Sequence, residues 1–224
     1  MTERRFTVIR GDASEQIAGG IRQYVAHQGL RPGDRLILTK PLGTGVVLAA
    51  GARGLASSRI VEEAIATMVQ SAAQAAWCLL NNRATACTDV TGFGLLGHLL
   101  EMLRASGMDA VLDPEAIPAL EGALSLLGRG IASSLHADNI ALLAALGTAA
   151  QTHQIAPLLI DPQTAGGLLA GVAADWAAAC VDQLHELGYR AAVIGRVIRL
   201  GGSQPLVDFE DGAAQTLPEP MAAK

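Results

Sequence analysis

Ala86-Cys87-Thr88-Asp89-Val90-Thr91-Gly92-Phe93-Gly94-Leu95-Leu96-Gly97-His98 carries the order strand, glycine loop, helix in one continuous run. Ala84 to Thr88 reads as a short strand, Asp89 to Gly94 as a loop, and Leu95 to Ala105 as a helix closed by Gly107. Gly92 and Gly94, two apart, let the backbone turn tightly, so that amides at the helix start point outward to an anion. Asp89 stands at the strand end, where a carboxylate can hold a magnesium ion that bridges phosphate oxygens. These features describe a phosphate and metal corner. They describe equally an ordinary strand-to-helix turn with Asp89 or Thr91 as a cap, and both readings stay open. His98, one helical turn beyond Gly94, takes no role, and Cys87, with no base beside it, reads as a small strand residue.

Two further segments belong with this one. In Asp161-Pro162-Gln163-Thr164-Ala165-Gly166-Gly167-Leu168-Leu169, Pro162 fixes the chain after a strand and Thr164 supplies a hydroxyl. Gly166 and Gly167 allow a turn whose amides form an anion nest, although a plain turn has the same composition. Thr39-Lys40-Pro41-Leu42-Gly43-Thr44-Gly45 has the look of a phosphate loop, but its lysine precedes the glycines, which excludes the G-x-x-x-x-G-K-[ST] order. Lys40 is either a group that approaches a phosphate or a surface lysine at a strand end.

Outward from these segments the chain alternates helix and strand. Residues 1 to 30 form a polar lead-in with a short helix expected over Glu15 to His27, followed by turn chemistry at Arg31-Pro32-Gly33-Asp34. Strands are expected at Arg35 to Lys40, Ala156 to Ile160, Gly167 to Val172 and Ala191 to Ile198. A long helix is expected from Ser57 or Ser58 to about Leu80, and others at Ile117 to Leu127, Ala137 to Ala149 and Ala174 to Leu187. Residues 201 to 224, with Pro205, Pro218 and Pro220, read as a loosely held tail. This order predicts an α+β domain, a mixed sheet covered by helices, over about residues 31 to 200.

A chain of 224 residues, half apolar, can bury one substantial core. The net charge of -5 and the scattered Lys and Arg leave no stripe to neutralise a nucleic acid, and 3% aromatics give no stacking platform for bases. Cys78, Cys87 and Cys180 show no C-x-x-C pairing, which predicts a reducing, cytoplasmic setting. No apolar run approaches the roughly 18 to 20 residues that span a bilayer, so no membrane is expected.

Leu38–Gly45 (LTKPLGTG), Ala86–Met102 (ACTDVTGFGLLGHLLEM) and Asp161–Leu169 (DPQTAGGLL), in this order and spacing, resemble the carboxy-terminal domain of the selenophosphate synthetase (selenide, water dikinase) family. The resemblance runs from about Arg31 to Ile198, with Ala165 where Ser is usual. It implies the fold shared with aminoimidazole ribonucleotide synthetase. It also implies an enzyme of selenocysteine biosynthesis that turns ATP, selenide and water into selenophosphate, AMP and orthophosphate with Mg2+. Asp89 matches the family's carboxy-terminal metal ligand, and Lys40, Gly43, Thr91, Gly92, Gly94, Thr164, Gly166 and Gly167 fall in the phosphate or nucleotide vicinity. The family's reactive Cys or selenocysteine, its catalytic Lys and its other metal-binding Asp residues belong to an amino-terminal half. Residues 1 to 30 are too short to contain that half, so no catalytic residue is expected in this chain.

In Met68 to Gln74 the family usually carries an Asn and a basic residue after the Ser, where this chain has Ala72 and Ala73. Two expectations follow: part of an enzyme that depends on an amino-terminal half supplied elsewhere, or a non-catalytic paralogue that serves as a binding or dimerisation module. A purine-pathway relative is disfavoured by TDVTGFGLLGH. The family dimerises mainly through amino-terminal domains, so a monomer and a homodimer built on an apolar face are both open.

Overall fold

The computed structural model describes residues 27–202 and 206–210; the helix expected over Glu15 to His27 and most of the tail lie outside them. Alternation along the first strand, β1 (Arg35–Leu38), sets the layers. Leu36 and Leu38 face one apolar core and Ile37 the other, because successive strand side chains point to opposite faces. β1 is central in a sheet ordered β2-β4-β1-β5-β3-β6, with β2 at Ala84–Asp89, β3 at Met108–Leu112, β4 at Leu168–Val172, β5 at Ala192–Arg199 and β6 at Val207–Phe209. All pairs are antiparallel except β3 with β6. The sheet is therefore mixed and covered by helices, as expected.

The larger core lies beneath α1 (Thr44–Ala52), α4 (Gly94–Ser106), α5 (Ala123–Gly128) and α8 (Ala156–Leu159). In α4, Leu95, Leu99 and Leu103 recur at helical spacing and are fully buried. Each such leucine contributes about 1.5–3 kcal/mol of burial. The smaller core lies beneath α3 (Ala73–Asn81) and α9 (Ala174–Glu186), where Leu79, Cys180 and Leu184 meet Ile37, Ala170 and Val172. α2 (Ser58–Val69) buries only Ala64 completely and rides on α1, whose Gly51 faces Val61.

Several elements differ from expectation, each for a tertiary reason. The single helix expected to run on to Leu80 is two helices, broken where Gln70 turns extended at φ -63°, ψ 118°. Tyr189 holds the break, its hydroxyl donating to the Ser71 carbonyl at 2.6 Å and accepting from the Ala75 amide at 3.2 Å. The strand expected at Ala156 to Ile160 is instead helix α8, since a short apolar run has no readable period and Pro157 suits a first helical turn. Accordingly Pro162 follows a helix and not a strand.

The helix expected at Ile117 to Leu127 shrinks to α5, because the backbone of Pro118 and Leu120 bonds to Leu42 instead. Ala137 to Ala149 divides into α6 (His136–Asn139), a 3-10 turn at Ile140–Ala145 and α7 (Thr148–Gln151), with Leu146 bridged to Val207. Helix α1 and strand β3 arise where the sequence reading had no element. β6 gives part of the expected loose tail a place in the sheet.

Candidate functional site

Because β4 lies between β2 and β1, the end of β2, the start of β4 and the end of β1 come together at one end of the sheet. Asp89 pairs with Leu168 and Leu38 with Leu169. The loops beyond are stitched by backbone bonds: Val90 N–H to Gly167 O at 2.9 Å, Thr39 N–H to Leu168 O at 3.0 Å, and Gln163 N–H to Thr91 O at 3.0 Å. The Leu168 amide also donates to Thr39 Oγ1 at 2.8 Å. Such closeness demands glycine. A Cβ on Gly166 would lie 2.2 Å from Val90 O, and one on Gly167 would lie 2.6 Å from Lys40 N. The three segments singled out in the sequence thus form one corner.

Within it Asp89 is exposed at the end of β2. Thr91 Oγ1 lies 3.0 Å from His98 Nε2, and His98 Nδ1 lies 3.2 Å from Glu101 Oε2. His98, to which the sequence assigned no role, therefore orients Thr91 from the first turns of α4. Its i,i+3 spacing to Glu101 was the available signal. Gly94 takes φ +67° and lets α4 start against the Leu159 carbonyl, which a Cβ would meet at 2.6 Å. Asn139 Nδ2 donates to Gly92 O at 2.9 Å and to Ile160 O at 3.0 Å, fixing the loop from the far side. Burial, reinforced by the charge of Asp89, pushes the Cys87 thiol up to about 12, which removes it as a nucleophile.

Gly43 does not present its amide to the corner. The amides of Gly43 and Thr44, and the Thr44 hydroxyl, all donate to Gln163 Oε1 at 3.0, 3.1 and 3.0 Å. Gln163 thereby caps α1, and the Thr164 amide returns a bond to Thr44 Oγ1 at 2.9 Å, leaving Thr164 itself exposed. Asp161, fully buried, accepts from the Val46 amide and from Gln163 Nε2 at 3.1 Å each. Its other oxygen, Oδ1, has no hydrogen-bond partner among the described residues. Burial raises Asp161 to about 6, against the opposing pull of the Val46 amide and Gln163. Neither role is legible in the sequence, since the spacing of a turn does not tell which side chains fold inward.

Lys40 is buried, at 2% exposure, and is not a surface lysine. Its Nζ donates to Gln70 O at 2.7 Å and to Ala165 O at 3.2 Å, which brings the turn between α2 and α3 into the site. Burial lowers its pKa. Among the described residues no group of three His, Cys, Asp or Glu could hold a metal ion. Asp89 alone suits a magnesium ion that takes one or two carboxylates and fills its remaining positions with phosphate oxygens and water. No helix among the described residues is long and apolar enough to cross a membrane.

Residues 31–208 match the family described as AIR synthase related protein, C-terminal domain. The selenide, water dikinase of Geobacter metallireducens is 38% identical over 179 residues, which cover 79% of this chain and 52% of the relative. That of Porphyromonas gingivalis is 39% identical over 182 residues, covering 76% and 50%. The chain spans about half the length of these relatives. Among solved structures, thiamine-monophosphate kinase from Stenotrophomonas maltophilia superposes with a TM-score of 0.59 at 20% identity, over 85% of this chain and 54% of that one. A HypE hydrogenase maturation protein solved in complex with ATP superposes at 0.55 with 18% identity, over 87% and 52%. These structural likenesses establish the fold.

Proposed function

We propose, from the premise that this chain belongs to the AIR synthase related proteins through their carboxy-terminal domain, that it supplies the carboxy-terminal half of an ATP-dependent selenide, water dikinase. The reaction is ATP, selenide and water to selenophosphate, AMP and phosphate. The observation that carries the proposal is the convergence of Asp89, the 91–94 loop and the 164–167 loop at one end of the sheet, in a chain whose relatives bear that name.

Asp89 is the residue that would hold a magnesium ion. A magnesium ion there would neutralise charge on the phosphoryl groups, the main need of such chemistry. Thr91, oriented by His98, orients the phosphates, while the Gly94 amide is spent on the Thr91 carbonyl at 3.0 Å. Gly166 and Gly167 bring the second loop close enough to close the corner. The reactive Cys or selenocysteine and the catalytic Lys that the family resemblance implies would come from an amino-terminal half, which acts as a partner to this domain in the cytoplasm.

The test is phosphorus NMR under anaerobic conditions with ATP, magnesium and selenide. The chain is assayed alone and with the amino-terminal half of the Geobacter metallireducens relative added. Selenophosphate and AMP only in the mixture are the expected result. Their absence from the mixture, with both proteins folded, would overturn the proposal in favour of a non-catalytic binding module, a reading that Ala72 on the Lys40-bonded turn favours.

A further inference from the structure

Helices α3 and α9 lie side by side over the smaller core, and between them runs a surface groove of about 340 Å³, walled by Trp77, Asn81, Gln183 and Leu187. Its volume falls in the range of small-molecule sites. Cys78 lines this groove from α3, at 5% exposure, and Cys180 is fully buried beside it on α9. Cys78 Sγ lies 3.6 Å from the Cys180 carbonyl oxygen, 3.6 Å from Asn82 Nδ2 and 3.8 Å from Gln183 Oε1. The two cysteines stand 102 positions apart in the chain, so no sequence motif pairs them. The phosphotransfer proposed above uses neither.

A buried cysteine by itself is a small apolar side chain. Two adjoining thiols, one of them lining a groove, have a chemistry of their own, and here their roles are unequal. Burial raises the Cys78 thiol, but hydrogen bonds from Cys180 and Asn82 act the other way and favour its thiolate. Burial pushes Cys180 up to about 12, and the charge of Cys78 and the bond between the two add to the rise. Cys78 is thus the sulfur that attacks from the groove, and Cys180 the sulfur that waits behind it. A bond between them would tie α3 to α9. Tyr189, just after α9, already holds the start of α3 through the Ser71 carbonyl and the Ala75 amide.

We propose that Cys78 and Cys180 are a reversible dithiol–disulfide pair, reached by small disulfides through the groove between α3 and α9. The Cys78 thiolate attacks one sulfur of the small disulfide, forms a bond to it and expels the other half as a thiolate. Cys180 then loses its proton to the departing thiolate and attacks the Cys78 sulfur, which releases the second half. The two protein thiols have given up two electrons and two protons, and the small disulfide has taken up both as two thiols. In a reducing setting the pair rests as thiols, and the bond forms when small disulfides accumulate.

The experiment treats the full chain, folded and reduced, with oxidised glutathione at alkaline pH, and reads it by thiol titration and peptide mass mapping. Free thiols are expected to fall from three to one, leaving Cys87. The mass is expected to drop by about 2 Da, with a linked Cys78–Cys180 peptide that a reductant reverses. In Cys180→Ala the glutathione is expected to remain on Cys78 as a mixed disulfide, and in Cys78→Ala the Cys180 thiol is expected to stay free. Three thiols still free in the folded wild type, a glutathione that stays on wild-type Cys78, or a Cys78–Cys180 bond that forms only in urea overturns the proposal. Should an alanine variant not fold, the wild-type peptide map decides. With no ATP, magnesium or selenide in the assay, its outcome is independent of the reaction proposed above.

Discussion

Gly166 leaves no room for a side chain, since a Cβ would fall 2.2 Å from the Val90 carbonyl. Gly166→Ala must push the two loops apart and is expected to lower stability by about 1–3 kcal/mol, read from urea midpoints. Asp161 gives a pH dependence of definite sign. Its folded pKa of about 6 lies above the ordinary 3.8, so between those values the folded state binds more protons than the unfolded state. Its contribution to stability therefore falls as pH rises through that window, by at most about 3 kcal/mol. Asp161→Asn is expected to gain on the wild type between about pH 4 and about pH 7, measured as the difference in unfolding free energy at each end. At this scale the sequence identified the exposed Asp89 and the tight glycines, because strand ends and glycine pairs are local signals. It left Lys40 open between a phosphate contact and a surface position, and passed over Asp161 and Gln163, whose roles depend on partners far away in the chain, Val46 and Thr44; His98 it read without a role although Thr91 and Glu101 lie close by in sequence.

Helix α1 begins where a side chain from another segment ends it. Gln163→Ala would strip one acceptor from three buried donors, so a loss of about 1–3 kcal/mol is expected. Amide exchange should accelerate first at Gly43 and Thr44, and unchanged exchange there would count against the capping role. The break between α2 and α3 is held in the same way by Tyr189, which no local pattern at residues 57 to 80 could reveal. Elements with strong periods of their own, such as α4, α9 and β5, were legible in sequence. α8 and the divided 136–151 region were not, since short apolar runs fit a strand as well as a helix.

The two apolar cores share one sheet, with Ile37 on one side and Leu36 and Leu38 on the other, so neither face can keep its packing alone. Trp77 on α3 and Trp176 on α9 both lie on the side of the smaller core. Tryptophan fluorescence and far-ultraviolet circular dichroism should therefore give coincident denaturation curves; an earlier fluorescence transition would mean that the two faces unfold separately. The strand order has another outcome. In β2-β4-β1-β5-β3-β6 no strand hydrogen-bonds to the one before or after it in the chain. The central strand β1 is made well before its neighbours at 168–172 and 192–199. The nascent polypeptide must hold this apolar strand unmatched until those later segments have emerged, during which it is open to aggregation and suited to capture by a chaperone.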